Sequence, residues 1–533
     1  MEYRVEEDGI KLILKYERDT VRRIRGITGR DFDSEEQAWV IPLFAIEELC
    51  EQFDVPQKII DEVLQKRKDR MKILSESTLK HDLKPFQVQG VSFLIERRKA
   101  FLCADMGLGK TCMSLAFSET LFNSNNIQRT FIVCPKSLIG HWVDEVEKFI
   151  GDTSVLVIQG DKKKRVKLWA SAFQYKYIIT NYEQIRNVFN FERMLSYMKY
   201  PSLIVLDEAT RIKNHKALVS RQIKKLNAKF KVVLSGRPLE NRPEELFSIN
   251  EFLRNNVLGT WSLFKSRYIV EDAFGRPSYY VNLDDLSRRI KSIMFRCKKE
   301  DVLDDLPERI DSIYSVKLSA PEHRDYKQIT TKIVTFIDEY KNKREAHIMR
   351  EILGSIQLAK MYCDHPDLVR YSEAKSVKDM VISSSMSTKF DEFFRIIDEI
   401  SGKVVVFTQY ARMVELIGKE LEARGHDYVT VTGKTKNRDE KIQQFREDKQ
   451  ILVSTDVLGY GINLQFASYI INYDLPWNPA VLEQRIARLH RMGQHKSVQV
   501  INLVVEDEDK IESKIRRVLN QKDDLFKIII DGE

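Results

Sequence analysis

A glycine-rich turn between an apolar segment and a helical pattern is the feature that most limits what this 533-residue chain can fold into. The apolar segment covers 100–103, and the helical pattern follows at 113–117. Such a turn presents consecutive backbone N–H groups at a helix N-terminus, where they bind phosphate oxygens. In this geometry Lys110 reaches the β- and γ-phosphates, and the Thr111 hydroxyl ligates Mg²⁺. The predicted nucleotide loop comprises Asp105, Met106, Gly107, Leu108, Gly109, Lys110 and Thr111.

The composition is typical of a compact globular chain that holds about three or four domains of ~100–200 residues each. The net charge of +8 comes from 87 basic and 79 acidic side chains, which permits a polyanionic partner without requiring one. The six cysteines are scattered without metal-ligand spacing, so we expect reduced thiols. The charged N-terminus does not resemble a secretory signal, and no apolar run approaches the roughly 18 residues of a membrane span. We therefore expect no membrane partner, and a cytoplasmic protein in a bacterial or phage-infected cell or a nuclear one in a eukaryote.

Apolar strands alternate with amphipathic helices in two stretches of the chain, 76–250 and 386–505. Continuous apolar strands suit a parallel sheet covered on both faces, so the pattern predicts an α/β fold with two tandem parallel-sheet lobes. The predicted strands are 130–134, 177–180, 203–206 and 231–234 in the first lobe, and 404–408, 428–432, 451–454, 469–472 and 498–505 in the second.

Three further segments complete the predicted domain organisation. Residues 1–75 form a small α+β domain with short strands and a charged helix. Residues 251–385 lack strong strands and are predicted to be a mostly helical insertion that bridges the lobes. Residues 506–533 place apolar side chains at helical spacing, which predicts a docked C-terminal helix.

Two adjacent carboxylates, Asp207 and Glu208, end the apolar strand 203–206. At the carboxyl end of a parallel strand, Asp207 can hold Mg²⁺ and Glu208 can orient and deprotonate an attacking water. A solvated acidic turn is the alternative interpretation. The position of the pair about 100 residues after a phosphate loop favours catalysis.

A further candidate for the catalytic site is the arginine pair Arg488 and Arg491, which the spacing predicts to lie on one helical face. Phosphoryl transfer spreads negative charge over the γ-phosphate oxygens, and an arginine from another lobe stabilises that charge. The alternative is a basic surface helix.

The ordered set of segments resembles a superfamily-two ATPase motor of the Swi/Snf type, over about residues 80–515, and the resemblance implies that the two tandem lobes are RecA-like. The resemblance implies ATP and Mg²⁺ as cofactors, with Thr111 and Asp207 as metal ligands. It also implies that Gln87 contacts the adenine base and that Gly461 lies in the nucleotide site. The matching segments are LKPFQ (83–87), DMGLGKT (105–111), LDEA (206–209), LSGRPLEN (234–241), VFTQY (406–410), STDVLGYGINL (454–464), DLPWNP (474–479) and QRIARLHRMGQ (484–494). Two non-catalytic segments also fit, namely 305–316 and 357–369.

DNA contacts are implied by the same resemblance, through CPKSLIGHW (134–142) and TNYE (180–183) in the first lobe and several second-lobe motifs. The implied backbone contacts are Lys136, Ser137, Asn181, Tyr182, Gln409, Ser454 and Thr455, with Trp477 abutting the duplex. Three positions depart from the family pattern without removing a group needed for hydrolysis, namely Thr210, Arg237 and Leu458.

Residues 21–30 and 37–43 resemble the HARP module, which is found beside motors that rewind DNA and remodel forks. Its arginine cluster is interpreted as a grip on DNA phosphates. The cluster comprises Arg22, Arg23, Arg25 and Arg30. For Trp39, core packing is favoured over base stacking.

The predicted function is an ATP-dependent double-stranded DNA translocase that remodels or rewinds branched DNA and works as a monomer. A translocase that displaces proteins from DNA is the near alternative, and a strand-separating DNA or RNA helicase is a further one. A nucleotide-gated binding module without turnover would need a broken site, whereas Lys110, Asp207 and Glu208 are all present.

Overall fold

The structure is a computed structural model, and it describes residues 1–6, 9–27, 29–33, 36–72, 79–186, 203–253, 256–272, 275, 277–302, 306–343, 345–370, 382–459 and 463–505. The predicted docking helix at 506–533 and Gly461 lie outside these residues. The chain divides between residues 304 and 305 into two compact units. Among the described residues, no helix is both long and apolar enough to cross a membrane.

The first unit begins with a small antiparallel sheet in the order β1-β2-β4-β3. Its strands are β1 Glu2–Val5, β2 Ile10–Ile13, β3 Asp31–Asp33 and β4 Ala38–Ile41. The accompanying helices are α1 Arg18–Ile24, α2 Ile46–Gln52 and α3 Gln57–Lys72. Ile10 and Leu12 are fully buried in a local core against which Trp39 packs, as the sequence favoured for this side chain.

A seven-stranded parallel sheet forms the centre of the first unit, in the order β13-β5-β10-β9-β6-β8-β7. Its strands are β5 Lys99–Ala104, β6 Thr130–Cys134, β7 Val155–Val157, β8 Tyr177–Asn181, β9 Leu203–Asp207, β10 Phe230–Leu234 and β13 Met294–Cys297. A separate hairpin consists of β11 Ile269–Glu271 and β12 Pro277–Tyr280. The helices are α4 Pro85–Arg97, α5 Lys110–Asn123, α6 Ile139–Phe149, α7 Lys162–Ser171, α8 Tyr182–Arg186, α9 Leu218–Lys225, α10 Pro243–Leu253, α11 Trp261–Tyr268 and α12 Leu283–Lys291.

The second unit contains a six-stranded parallel sheet in the order β14-β19-β18-β15-β17-β16. Its strands are β14 Arg309–Val316, β15 Val404–Phe407, β16 Tyr428–Val431, β17 Ile451–Ser454, β18 Tyr469–Asn472 and β19 Val498–Val505. Its helices are α13 Ala320–Lys343, α14 Ala346–Asp364, α15 Pro366–Arg370, α16 Thr388–Glu399, α17 Ala411–Ala423, α18 Arg438–Glu447 and α19 Pro479–Ile486. The two parallel sheets confirm the predicted α/β class with two sheet-based lobes.

The interval 251–385 differs from its prediction, because it contributes a strand to each sheet in addition to its helices. β13 joins the edge of the first sheet beside β5, and β14 joins the edge of the second beside β19. An edge strand has one neighbour and is covered less completely, so its sequence need not be continuously apolar. In β14 most side chains are exposed or half-buried. Both strands therefore escape a prediction that rests on continuous apolar runs.

Candidate active site

The phosphate loop lies between β5 and α5 and depends on two glycines. Gly107 has φ +89° and Gly109 has φ +81°, values that residues with a Cβ rarely adopt. Gly109 is also the N-cap of α5, and a Cβ added there would lie 2.5 Å from Nε2 of Gln87. The loop therefore requires glycine at this position both for its backbone and for its closeness to Gln87.

Lys110 begins α5, and its ammonium group is held at the mouth of the loop. Nζ donates hydrogen bonds to the carbonyl oxygens of Ala104, at 2.7 Å, and Asp105, at 3.3 Å. Burial lowers the pKa of Lys110, while the nearby carboxylates of Glu208 and Asp207 act in the opposite direction. The structure thus brings the phosphate-loop lysine and the acidic pair into one electrostatic site.

Asp207 ends β9 and is buried with both carboxylate oxygens engaged. Oδ2 accepts a hydrogen bond of 2.9 Å from the indole Nε1 of Trp142, and Oδ1 accepts one of 2.9 Å from the Glu208 amide. Burial raises the pKa of Asp207, and the Trp142 hydrogen bond and the Lys110 charge oppose that rise. Trp142 therefore orients the candidate metal ligand. From the sequence, Trp142 was predicted only as part of a segment that contacts DNA.

Glu208 adopts a left-handed backbone conformation with φ +52° and ψ 54°. A residue with a Cβ adopts this conformation uncommonly, and such strain clusters at functional sites. The side chain is half-buried beside Asp207, at the start of a short 3₁₀ turn over 209–212. This placement fits a catalytic base more closely than a solvated acidic turn.

Gln87 braces the phosphate loop. Its Nε2 donates a 3.2 Å hydrogen bond to the Leu108 carbonyl, and its Oε1 accepts one of 3.0 Å from the Lys84 amide. The side chain is buried. Its contact with an adenine base stays a prediction.

Asp105 is tied to the edge strand β13, which the sequence analysis missed. Oδ1 receives a 2.6 Å hydrogen bond from Arg296, and Oδ2 receives one of 3.1 Å from the Lys299 amide. The Asp105 amide in turn donates to the Cys297 carbonyl at 2.9 Å. Burial acts to raise the pKa of Asp105, but the Arg296 guanidinium and these hydrogen bonds hold it below its ordinary value.

Oxygen atoms suited to Mg²⁺ occur at Thr111, in the first turn of α5, and at Asp207. Over the part of the chain that the structure describes, no group of three or more metal-ligating His, Cys, Asp or Glu side chains occurs. A hydroxyl and one carboxylate leave most of an octahedral shell to phosphate and water oxygens, which is how Mg²⁺ commonly binds with nucleotides. The residues present therefore fit a nucleotide-borne Mg²⁺.

The end of β10 approaches the phosphate loop closely at Gly236. A Cβ added to Gly236 would lie 3.4 Å from Cγ of Met106 and 3.5 Å from Nζ of Lys110. The next residue, Arg237, is half-buried and donates its amide to the Ser235 hydroxyl at 3.2 Å. The segment LSGRPLEN (234–241) thus borders the nucleotide loop.

The four DNA contacts predicted for the first lobe divide by exposure. Lys136 and Ser137 are exposed, but Asn181 and Tyr182 are buried. The Asn181 side chain caps the following turn, and the Tyr182 hydroxyl donates to the Asp207 carbonyl at 2.8 Å. Both side chains lie at the covered carboxyl end of β8, and that of Tyr182 supports the acidic pair. Their contact with a DNA backbone stays a prediction.

The predicted DNA contacts of the second lobe also divide by exposure. Ser454 is fully buried, and its hydroxyl donates to the Val431 carbonyl at 3.0 Å, so its assignment to DNA is corrected. Thr455 and Gln409 are half-buried, and Oε1 of Gln409 accepts a 2.9 Å hydrogen bond from Lys360. Trp477 is half-buried and packs against an apolar cluster of the same unit.

The arginine pair of the second unit does not lie on a helix, contrary to the prediction. α19 ends at Ile486, and Arg488 and Arg491 occupy the turns that follow. The Arg488 carbonyl accepts from the Leu464 amide at 3.0 Å, and the Arg491 guanidinium bonds to Asn463. These contacts divert the backbone from the helical hydrogen-bond pattern.

Arg485 is a residue of the same segment that the sequence analysis did not single out. It is fully buried and bonds to Asp456 Oδ1 at 2.6 Å and to the Asp474 carbonyl at 2.8 Å. It therefore holds two other motif segments of the second unit together. The sequence alone gives no sign of which arginine in QRIARLHR is internal. Leu458, one of the departures, is also fully buried, which accounts for an apolar side chain there.

Two protein-family models match most of this chain. The SNF2-related domain family matches residues 86–368, and the helicase conserved C-terminal domain matches 388–493. The putative ATP-dependent helicase/translocase YwqA of Bacillus subtilis is 29% identical over 86% of this chain and 50% of its own length. The ISWI chromatin-remodeling complex ATPase ISW1 of Saccharomyces cerevisiae is 26% identical over 84% of this chain and 40% of its own.

The chain therefore spans about 40–50% of the length of these curated relatives. Among solved structures, the Sulfolobus solfataricus SWI2/SNF2 ATPase core in complex with dsDNA is 26% identical. The match covers 86% of this chain and 94% of that one, with a TM-score of 0.41.

Proposed function

The chain belongs to the SNF2-related family, and from that premise we propose that it translocates along double-stranded DNA and remodels or rewinds branched DNA. The family membership makes the chain an ATP-hydrolysing enzyme of the helicase or translocase type. The kind of DNA and the result of the movement belong to the proposal.

The observation that carries the proposal is the convergence of Lys110, Asp207 and Glu208 at the carboxyl ends of β5 and β9. These two strands flank β10 in the parallel sheet. Carboxyl ends of parallel strands are where open α/β sheets bind ligands. A phosphate loop and an acidic pair at this edge form the equipment for hydrolysis of a nucleoside triphosphate.

Each residue has a distinct part in the proposed reaction. The loop amides and Lys110 bind the phosphates, while Gln87 and Arg296 keep the loop in place. Thr111 and Asp207 hold Mg²⁺, which neutralises charge on the β- and γ-phosphate oxygens when bound. Glu208 orients the attacking water and accepts its proton. Arg488 and Arg491 are proposed to stabilise the charge on the transferring phosphoryl group.

The proposed grip on DNA uses the exposed Lys136 and Ser137 and, in the second unit, the half-buried Thr455 and Gln409. Such contacts are to phosphates and do not read sequence. The sequences of the ATPase motifs support movement along DNA, and the name of the Bacillus relative, a putative helicase/translocase, supports translocation. The HARP-like resemblance of residues 21–43, with its exposed arginines on α1, supports action on branched DNA.

The test is an ATPase assay of the full chain with duplex DNA, single-stranded DNA, forked DNA and RNA, paired with a fork-rewinding assay. We expect duplex and forked DNA to stimulate hydrolysis and the wild type to rewind forks, with Glu208→Gln as the inactive control. Stimulation by RNA or single strands alone would indicate a strand-separating helicase. Displacement of a duplex-bound protein without rewinding would indicate the protein-displacing alternative.

A further inference from the structure

A cleft of about 680 Å³ lies within the first unit, where α1 and α2 of the N-terminal part meet α12. Helix α1 lines it with Arg22 and Arg23, and helix α12 lines it with Arg288 and Arg289. Two elements far apart in sequence therefore place guanidinium groups around one opening.

Several of these guanidinium groups are uncommitted. Arg22 and Arg288 are exposed, and neither side chain has a hydrogen-bond or ion-pair partner among the described residues. Arg23 lies over the ring of Phe53 at 4.3 Å, which leaves its N–H groups available. Arg289 differs, because it bonds to Asp285 at 2.9 Å.

Positive charge continues behind the opening at Arg30. This side chain is half-buried and donates to the Ile27 carbonyl at 3.2 Å. Burial and, after it, the neighbouring charges of Arg289 and Arg267 lower the pKa of Arg30 to about 10. An anion in the cleft would relieve this repulsion.

Carboxylates also line the cleft and equal its arginines in number, four to four. Asp285 is already committed to Arg289 and to the Tyr268 hydroxyl, at 2.6 Å. The remaining carboxylates of the lining are Asp19, Glu48 and Glu51. Arg25 and Arg267, whose charges act on Arg30, add positive charge beside the lining.

We propose that this cleft binds the phosphodiester backbone of branched DNA through arginines of both α1 and α12. The inference rests on the proposed DNA-translocase function and deepens it, since it makes a helix of the first ATPase unit part of the targeting site. Guanidinium groups suit phosphate because they donate paired hydrogen bonds while remaining charged. The site is sequence-independent, as backbone contacts carry no base information.

The test measures binding of labelled forked DNA to the full chain by fluorescence anisotropy, without ATP, over a range of salt concentrations. The variants are Arg22→Ala, Arg288→Ala and the double substitution. The matched control is Arg221→Ala, an exposed arginine on α9 outside the cleft lining. Each cleft variant is expected to weaken binding roughly 3–10-fold and to reduce the slope of log K against log salt by ~0.9 per lost phosphate contact. The control is expected to match the wild type.

Two outcomes would overturn the proposal. If Arg288→Ala binds forks like the wild type while Arg22→Ala is weakened, α12 is not part of the site. If the cleft variants bind forks like the wild type but bind tripolyphosphate more weakly, the cleft takes free polyphosphate rather than DNA. Unchanged thermal unfolding of each variant excludes misfolding. DNA-stimulated ATP hydrolysis of the wild type is measured separately. A failure of the translocase proposal can therefore be told apart from a failure of the proposal that the cleft binds DNA.

Discussion

The guanidinium of Arg296 lies 2.6 Å from Oδ1 of Asp105, and this ion pair joins the edge strand β13 to the phosphate loop. The backbone carbonyl of Asp105 also receives a hydrogen bond from Lys110. The position of Lys110 therefore depends in part on Arg296, which follows Asp105 by 191 positions in the chain. β13 acts as a structural support for this loop.

Arg296→Ala is expected to raise the Kd for ATP about tenfold, a loss of ~1.4 kcal/mol, because the loop loses its outer anchor. Arg296→Lys keeps the positive charge but loses the planar set of N–H donors of the guanidinium, so it should give an intermediate Kd for ATP. Nucleotide binding is measured with a fluorescent ATP analogue, and Arg221→Ala is the control. Wild-type affinity in Arg296→Ala would show that the loop holds its shape without β13.

The same variant has an expected pH dependence. The pKa of Asp105 is held below its ordinary value in the folded chain, so its ionised form stabilises the fold above the ordinary pKa of about 4. That stabilisation is lost as the pH falls through the lower, folded-state pKa. The difference in thermal unfolding temperature between the wild type and Arg296→Ala should therefore shrink below about pH 4.

Trp142→Phe should reduce kcat/KM for ATP about 10–100-fold, as is usual when a group that orients a metal ligand is lost. The substitution removes the indole N–H that Asp207 accepts and keeps an aromatic ring in the core. We also expect a higher Mg²⁺ concentration for half-maximal activity. Trp169→Phe is the matched control, since Trp169 is buried against Phe131 away from any predicted site residue. Equal Mg²⁺ requirements in the two variants would argue against the orienting role.

The sequence predicts the interior of this fold well because buried parallel strands are continuous apolar runs. The predicted spans 130–134, 451–454, 469–472 and 498–505 coincide with β6, β17, β18 and β19. The edge strands β13 and β14 escape such a search, since half of their surroundings is solvent or loop. The class of the fold was therefore predictable, whereas the limits of the helical interval were not.

The candidate site was predictable in its residue types but not in its contacts. The phosphate loop and the Asp207–Glu208 pair are local patterns, and the structure places them together. The Trp142–Asp207 bond joins residues 65 positions apart, and nothing in either segment marks the pairing. In the sequence, a polar residue at a strand end also looks the same whether its side chain is exposed or buried. Lys136 is exposed, whereas Tyr182 and Ser454 are buried.

Glu208→Gln should lower kcat by about 10²–10⁴-fold while leaving the Kd for ATP unchanged, because the amide cannot accept the proton of the attacking water. Lys110→Ala should instead weaken ATP binding, since it removes the cation that meets the phosphates. Steady-state hydrolysis and nucleotide binding are measured for both variants, with Glu147→Gln, an exposed carboxylate on α6, as the control. Wild-type turnover in Glu208→Gln would contradict the assignment of Glu208 as the catalytic base.

Arg488→Ala and Arg491→Ala are each expected to lower kcat by about 10³-fold with little change in ATP binding, as for arginines that act on the transferring phosphoryl group. Arg412→Ala, which breaks an exposed ion pair with Glu415 in the same unit, is the control. The measurement is kcat at saturating ATP and DNA. If both variants keep wild-type kcat and lose DNA affinity, these arginines serve DNA contact instead.

Lys136→Ala and Tyr182→Phe should separate an exposed phosphate contact from a buried support. Lys136 is exposed at the end of β6, so its removal is expected to weaken duplex binding equally for all sequences and to reduce the salt slope by ~0.9. Tyr182→Phe removes only the hydroxyl that donates to the Asp207 carbonyl, so it should leave that slope unchanged and lower kcat. Binding is measured on two duplexes of unrelated sequence at several salt concentrations, and kcat on either duplex. Weaker duplex binding by Tyr182→Phe at every salt concentration would place this tyrosine at the DNA after all, because a neutral hydroxyl adds affinity to a phosphate contact without changing the salt slope.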